Sequence, residues 1–93
     1  MRISASKQVQ GWLVALSPET KRRVRTGLRE LEKRRGDIKA LSGELAGFCR
    51  SRIGGLRIVY SQNPGQIIRL EYADSRDVVY ETFLKILEAR KTT

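Results

Sequence analysis

Apolar residues Val9, Trp12, Leu13 and Leu16 recur at i, i+3, i+4 and i+7, the spacing of one face of a helix. Ser6 stands where its hydroxyl can cap that helix. The segment 17-SPET-20 repeats the signal: Ser17 as N-cap, Pro18 at the first helical position and Glu19 in the first turn, where the helix dipole favours an anion. Val24, Leu28 and Leu31 form a narrow stripe on this second helix, which is expected to stop near Gly36. The two would form an antiparallel helical hairpin, preceded by a short strand over Met1–Ala5.

The period then changes from 3.6 to 2. In 48-FCRSRIGGLRIVY-60 the Gly54-Gly55 pair suits a two-residue type I′ turn, whose central positions both need φ > 0. Closing the turn there sets Ile53 opposite Leu56, Arg52 opposite Arg57, Ser51 opposite Ile58, Arg50 opposite Val59 and Cys49 opposite Tyr60. Cys49, Ile53, Leu56, Ile58 and Tyr60 then share a core-facing side, and Arg50, Arg52 and Arg57 share the other. A second turn is expected over 61-SQNPGQ-66, followed by a strand 67-IIRLEYA-73 with Ile68, Leu70 and Tyr72 on one face. Val79, Phe83 and Ile86, with Leu87 alongside, describe a terminal amphipathic helix ending near Arg90. The expected architecture is α+β: an N-terminal strand, an α-helical hairpin, an antiparallel β-meander and a C-terminal helix, with the helices on one sheet face and the arginine face open.

Ninety-three residues make one domain, residues 1–93, small enough that packing or a partner must add stability. Nineteen Lys and Arg against ten Asp and Glu give a formal charge of +9, which points to a polyanion or an acidic protein as partner. Between Ser17 and Ala40 nine cations meet four acids. Arg22, Arg23, Arg25, Arg29 and Lys33 on the second helix are candidates for nucleic-acid binding, and the alternative is a solvated helix face. Six aromatic residues are too few to suggest a base-stacking platform. One cysteine, Cys49, and no histidine exclude an internal disulfide, a zinc site and a Cys-His nucleophile. No run has signal-peptide or transmembrane character, so a soluble, cytoplasmic protein with no membrane association is expected.

Three arginines on one small sheet face repel each other by up to about 1 kcal/mol per facing pair. Either nearby acids such as Glu44 or Glu71 compensate them, or an anionic ligand does. The pattern Leu41-x-Gly43-x-Leu45-x-Gly47-x-x-Arg50-x-Arg52-x-Gly54-x-x-Arg57-Ile58-Val59-Tyr60, with Arg76-Asp77-Val78-Val79-Tyr80 downstream, resembles the RelE/ParE superfamily of type II toxin-antitoxin toxins. The resemblance extends from Ile3 to Glu81.

It implies a ribosome-dependent messenger-RNA endoribonuclease that needs no metal or other cofactor and cuts by attack of a ribose 2′-hydroxyl on the adjacent phosphate. Arg50, Arg52, Arg57, Arg76 and Tyr80 are the site residues it implies. The alternative within the superfamily is a ParE-like inhibitor of DNA gyrase without nuclease activity. The implied partners are the ribosome with its messenger RNA and an acidic antitoxin encoded adjacently, with which a higher-order complex could form. Arg50 and Arg52 stand where the family often carries lysines, and arginine stays protonated, so the proton acceptor must be another group. Tyr80 and Asp74 are the candidates. Tyr80 has a second reading, as half-buried core of the terminal helix.

Overall fold

Both hairpin helices start where a serine can satisfy a free backbone donor. Ser6 Oγ accepts from the Val9 N–H and Ser17 Oγ from the Thr20 N–H, each at 3.3 Å. The computed structural model describes residues 2–63 and 67–91. Its elements are β1 (Arg2–Ala5), α1 (Lys7–Ala15), α2 (Pro18–Glu32), β2 (Asp37–Ala40), β3 (Cys49–Ile53), β4 (Leu56–Gln62), β5 (Ile67–Asp74) and α3 (Val79–Lys91), with a 3-10 turn over Gly43–Leu45. Met1 of the expected first strand and 64–66 of the expected turn lie outside the described residues. No helix among the described residues is long and apolar enough to cross a membrane.

The strands form one five-stranded sheet in the order β1-β5-β4-β3-β2. The β3–β4 hairpin has the register that the glycine pair implies, from Cys49 opposite Tyr60 to Ile53 opposite Leu56, but the turn is not the expected type I′: Gly54 takes φ +59° while Gly55 is not at positive φ. Two features go beyond the expected meander. β1 lies parallel to β5, which makes the sheet mixed. β2, unforeseen, pairs antiparallel with β3 as an edge strand.

β2 exists because α2 stops four residues before Gly36. The Arg35 N–H bonds to the Glu30 carbonyl at 2.8 Å and the Arg34 N–H to the Leu31 carbonyl at 2.9 Å, while Arg34 itself takes φ +58°. This is a Schellman cap with arginine in the left-handed place that glycine usually fills. The chain reverses there and again at Gly36, φ +99°, and then runs out along β3.

One face of the sheet packs on the helical hairpin. Val9, Val24, Leu31, Ile58, Tyr60, Ile68, Leu70 and Ala73 form its buried core. Gly27 lets α2 come close, for a Cβ built there would lie 2.5 Å from Ile53 Cδ1. The other face carries a second, smaller core of Val59, Val79 and Phe83, ringed by Phe48, Tyr72, Tyr80 and Leu87. The helices therefore lie on both faces, and the arginine face is open only where α3 does not cover it. The sequence expectation overlooked Val59: it pairs with Arg50 and is 0% exposed, so an apolar partner had to cover it.

A β-bulge explains a further difference. Val59 pairs with Tyr72 but Tyr60 with Leu70, leaving Glu71 as the extra residue on β5. Ile68 and Leu70 hence face the hairpin as expected, whereas Tyr72 turns to the α3 side. The α1 N-terminus stitches the bulged strand. Ser6 Oγ donates to the Glu71 carbonyl at 2.8 Å, and the Gln8 amide exchanges two hydrogen bonds with the Ala73 backbone at 2.8 and 2.9 Å. Backbone groups beyond the end of β1 are thereby satisfied.

Candidate active site

Cross-strand partners share a side of an antiparallel ladder. The registers therefore set Asp37 and Lys39 of β2, Arg50 and Arg52 of β3, Arg57 and Val59 of β4, and Tyr72 and Asp74 of β5 on one face. α3 covers the Val59 end. Towards β2 the face opens into a cleft of about 410 Å³, with Lys39, Ser42, Arg50, Arg52 and Tyr80 on its walls and Leu41 and Leu45 among its apolar lining. Tyr80 reaches it from the first turn of α3, its ring also packed against the second core. Tyr80 is therefore part of the second core and of the cleft wall at once.

The arginines differ in how far their charge is compensated. Arg50 is 14% exposed and gives Nη1 to Asp37 Oδ1 at 3.0 Å and to the Asp37 carbonyl at 3.4 Å. Arg52 has no ion pair among the described residues, and its Nε is buried without a hydrogen-bond acceptor. A half-buried guanidinium with no carboxylate partner favours an incoming anion. Planar forks on Arg50 and Arg52 can each hold two oxygens of one phosphate.

Three solved complexes share this architecture. The archaeal RelE-RelB complex from Pyrococcus horikoshii OT3 superposes with a TM-score of 0.66 at 26% identity, over 82% of this chain and 94% of that one. The chain has the fold of the RelE toxins. The RelB-RelE antitoxin-toxin complex from Methanococcus jannaschii matches with a TM-score of 0.66 at 21% identity, over 86% and 98% of the two chains. The RelBE2 toxin-antitoxin complex from Mycobacterium tuberculosis gives 0.64 at 22% identity, over 81% and 96%. No protein-family model matches the chain, and no curated protein does.

Within this RelE-like fold the residues that the motif singles out divide into two groups. Arg50, Arg52 and Tyr80 meet in the cleft. Arg57 stands beside Arg52 in the ladder, but Nη1 donates to the carbonyls of Gly55 at 3.0 Å and Ser75 at 3.2 Å, and Nε lies 2.6 Å from Asp77 Oδ1. It ties the start of β4 to the loop that leads into α3. Arg76, 73% exposed, reaches Asp74 at 3.5 Å. The acids that compensate the arginines are therefore Asp37, Asp74 and Asp77; of the two named from sequence, Glu71 pairs with Arg69, 3.6 Å away.

Asp74 is held below the usual carboxylate range. Burial pushes its pKa up, but the hydrogen bonds from Arg76 and from the Ser75 N–H outweigh that. A carboxylate so stabilised is a weaker base, which counts against Asp74 as the proton acceptor. Tyr60, on the opposite face, is pushed up to about 12 by burial first and by Cys49 across the ladder second. No group of three or more potential metal-ligating His, Cys, Asp or Glu exists among the described residues.

The basic residues of α2 are elsewhere. Arg22, Arg29 and Lys33 are exposed along the side of α2 away from Val24 and Leu31, and Arg25 is exposed at the edge of the groove between α1 and α2; all lie across the sheet from the cleft. Arg23 pairs with Glu19 one turn back at 3.4 Å. Lys39 and Asp37 are the cleft-face residues that sequence reasoning missed, because both enter it only in the charge count between Ser17 and Ala40 and in no strand. The available signal was the alternation Asp37-Ile38-Lys39-Ala40 after a glycine, with only Ile38 packed on the core.

Proposed function

We propose that this chain is the toxin of a type II toxin-antitoxin pair and a ribosome-dependent messenger-RNA endoribonuclease that works without a metal. The observation that carries the reading is the convergence of Arg50, Arg52 and Tyr80 on one cleft in a RelE-like fold. The two guanidiniums grip the scissile phosphate and stabilise the charge that grows on its oxygens as the ribose 2′-oxygen attacks. Tyr80 Oη accepts the 2′-hydroxyl proton while its own proton passes to the leaving 5′-oxygen. The P–O5′ bond breaks, leaving a 2′,3′-cyclic phosphate and a free 5′-hydroxyl. Arg57 and Arg76 act as positioning residues that hold the loop before α3, and with it Tyr80. The exposed cations of α2 hold ribosomal RNA by its backbone, at a distance from the chemistry.

Cleavage of messenger RNA on purified ribosomes tests the reading. Arg50→Ala and Tyr80→Phe should each lower the single-turnover rate at least about 100-fold, the scale of losing one transition-state donor. Wild-type rates in both variants would overturn the site assignment. The ParE-like reading, inhibition of gyrase, draws on one observation: Asp74, the carboxylate considered as proton acceptor, is a weakened base. Inducing the chain alone in bacteria separates the two, since a nuclease stops translation whereas a gyrase inhibitor raises the DNA-damage response.

The neighbours in structure are toxins bound to antitoxins, and the reading extends that to this chain. An acidic, amphipathic antitoxin segment suits the apolar groove of about 260 Å³ between α1 and α2, where Val14 is 75% exposed and Lys21 and Arg25 form the rim. Co-expression with the adjacent small reading frame should give a co-purifying complex and restore growth. Failure of both would remove the antitoxin from the reading.

A further inference from the structure

The cleft contains a cation that the motif leaves out. Lys39 lies within β2 with its Cα in register with Arg50, so it shares the face of Arg50 and Arg52, and it lines the same cleft as Tyr80. It is exposed, and no ion pair or hydrogen bond engages it among the described residues. Arg57, the third cation of the motif, gives Nη1 to the Gly55 and Ser75 carbonyls and pairs with Asp77, although its Nε, like that of Arg52, has no hydrogen-bond acceptor among the described residues. The nearest acid on the edge strand, Asp37, is already held by Arg50 at 3.0 Å. An ammonium on a flexible stem beside two fixed guanidiniums is the complement of a phosphate whose non-bridging oxygens point in different directions.

We propose that Lys39 is a catalytic residue of this site, its ammonium touching the scissile phosphate together with Arg50 and Arg52. The inference rests on the nuclease reading above and adds a residue to it. Lys39 contributes charge and transfers no proton: the 2′-hydroxyl proton still passes to Tyr80 Oη and the Tyr80 proton to the 5′-oxygen. It stabilises the extra negative charge on the pentacovalent phosphorus as the 2′-O–P bond forms and the P–O5′ bond breaks.

Lys39→Gln and Lys39→Arg, both at an exposed edge position and both checked for an unchanged melting temperature, test the proposal with two readouts. One is single-turnover cleavage of messenger RNA on ribosomes. The other is binding of a short single-stranded RNA by fluorescence anisotropy across a salt series. Lys39→Gln should slow cleavage about 10- to 100-fold and flatten the slope of log K against log salt by about 0.7, the share of one single-strand phosphate contact. Lys39→Arg, which keeps the charge, should stay within about threefold of wild type on both readouts. Wild-type cleavage and slope in Lys39→Gln overturn the contact. If Lys39→Arg is as slow as Lys39→Gln, the amine rather than its charge is used, and the assigned role is overturned. If the wild-type chain cuts nothing while Lys39→Gln still loses the slope, the phosphate contact stands and the nuclease reading falls.

Discussion

Phe83→Ala should detach α3 while leaving the rest of the fold standing. Phe83 is 0% exposed and meets the Phe48 ring edge-on, with centroids 5.0 Å apart and planes at 83°. Truncating a buried phenylalanine costs about 3–5 kcal/mol. Stability of about 0.05–0.15 kcal/mol per residue puts the whole domain near 5–14 kcal/mol. The loss is thus a large fraction of the total, yet it falls on a core of only three fully buried residues, Val59, Val79 and Phe83. The eight-residue core under the hairpin shares none of its buried residues with it. α3 should then unfold from the sheet before the hairpin core does. Trp12 packs on the hairpin core and reports that side alone. Under guanidinium chloride its fluorescence transition should move little, while far-UV circular dichroism starts with less helix and gives a smaller m value, because less surface remains to be exposed. Ribosomal cleavage should be lost along with the placement of Tyr80. Coincident transitions, an unchanged m value and a cost below about 1 kcal/mol would refute the view of α3 as a separately docked element.

Arg34→Gly should stabilise the chain by roughly 0.5–1 kcal/mol, because arginine at φ +58° costs about 1–2 kcal/mol and the glycine's unfolded-state entropy returns part of it; a lower melting temperature would contradict the Schellman cap. Gly27→Val should lower the melting temperature by several degrees, since its Cβ meets Ile53 Cδ1 at 2.5 Å and overpacking costs about 1–3 kcal/mol. Adding Ile53→Ala should recover part of that loss in calorimetry, and strict additivity would argue against the contact. Alkaline titration probes Tyr60, whose folded pKa of about 12 lies above the ordinary 10.0. Its stabilising effect is fully present below pH 10 and is lost as pH rises through 12, by at most about 1.4 kcal/mol per pH unit. Tyr60→Phe should flatten this alkaline limb in denaturant midpoints measured from pH 9 to 12.

The parts of the fold that could be read from sequence are those whose local signals and tertiary environment agree. Ser6, Ser17 and Pro18 cap helices that bury the stripes their spacing defines, and Gly54-Gly55 determines a register that the sheet keeps. The misreadings arise where one residue type stands in for another. Arg34 fills the place of a C-terminal glycine, so α2 ends four residues before the Gly36 that its sequence points to, and four residues, Asp37–Ala40, are too few for their alternation to announce a strand. The Glu71 bulge leaves no mark in the alternation of Ile68, Leu70 and Tyr72, since an inserted residue shifts which side is apolar without changing which residues are. β1 pairs in parallel with a strand more than sixty residues away, and no local pattern encodes such a partner.

The same reasoning separates what was visible in the cleft from what was not. Arg50, Arg52 and Tyr80 were identifiable because the hairpin that carries the arginines has its register written in two glycines, and because a motif spacing connects it to the tyrosine. Which charges an arginine answers to is a matter of distant loops. Asp77 and the carbonyl of Ser75 reach Arg57 only because α3 returns over Val59. Asp37 reaches Arg50 only because β2 exists. Sequence therefore identified the arginines of the face, while the strand it concealed adds Lys39 to them and ties Arg50 to Asp37. On the proposed nuclease reading, a phosphate would compete with Asp37 for Arg50, which that carboxylate already holds. Arg52 and Lys39 have no such carboxylate among the described residues, so the phosphate should sit nearer to β2 than the motif alone suggests.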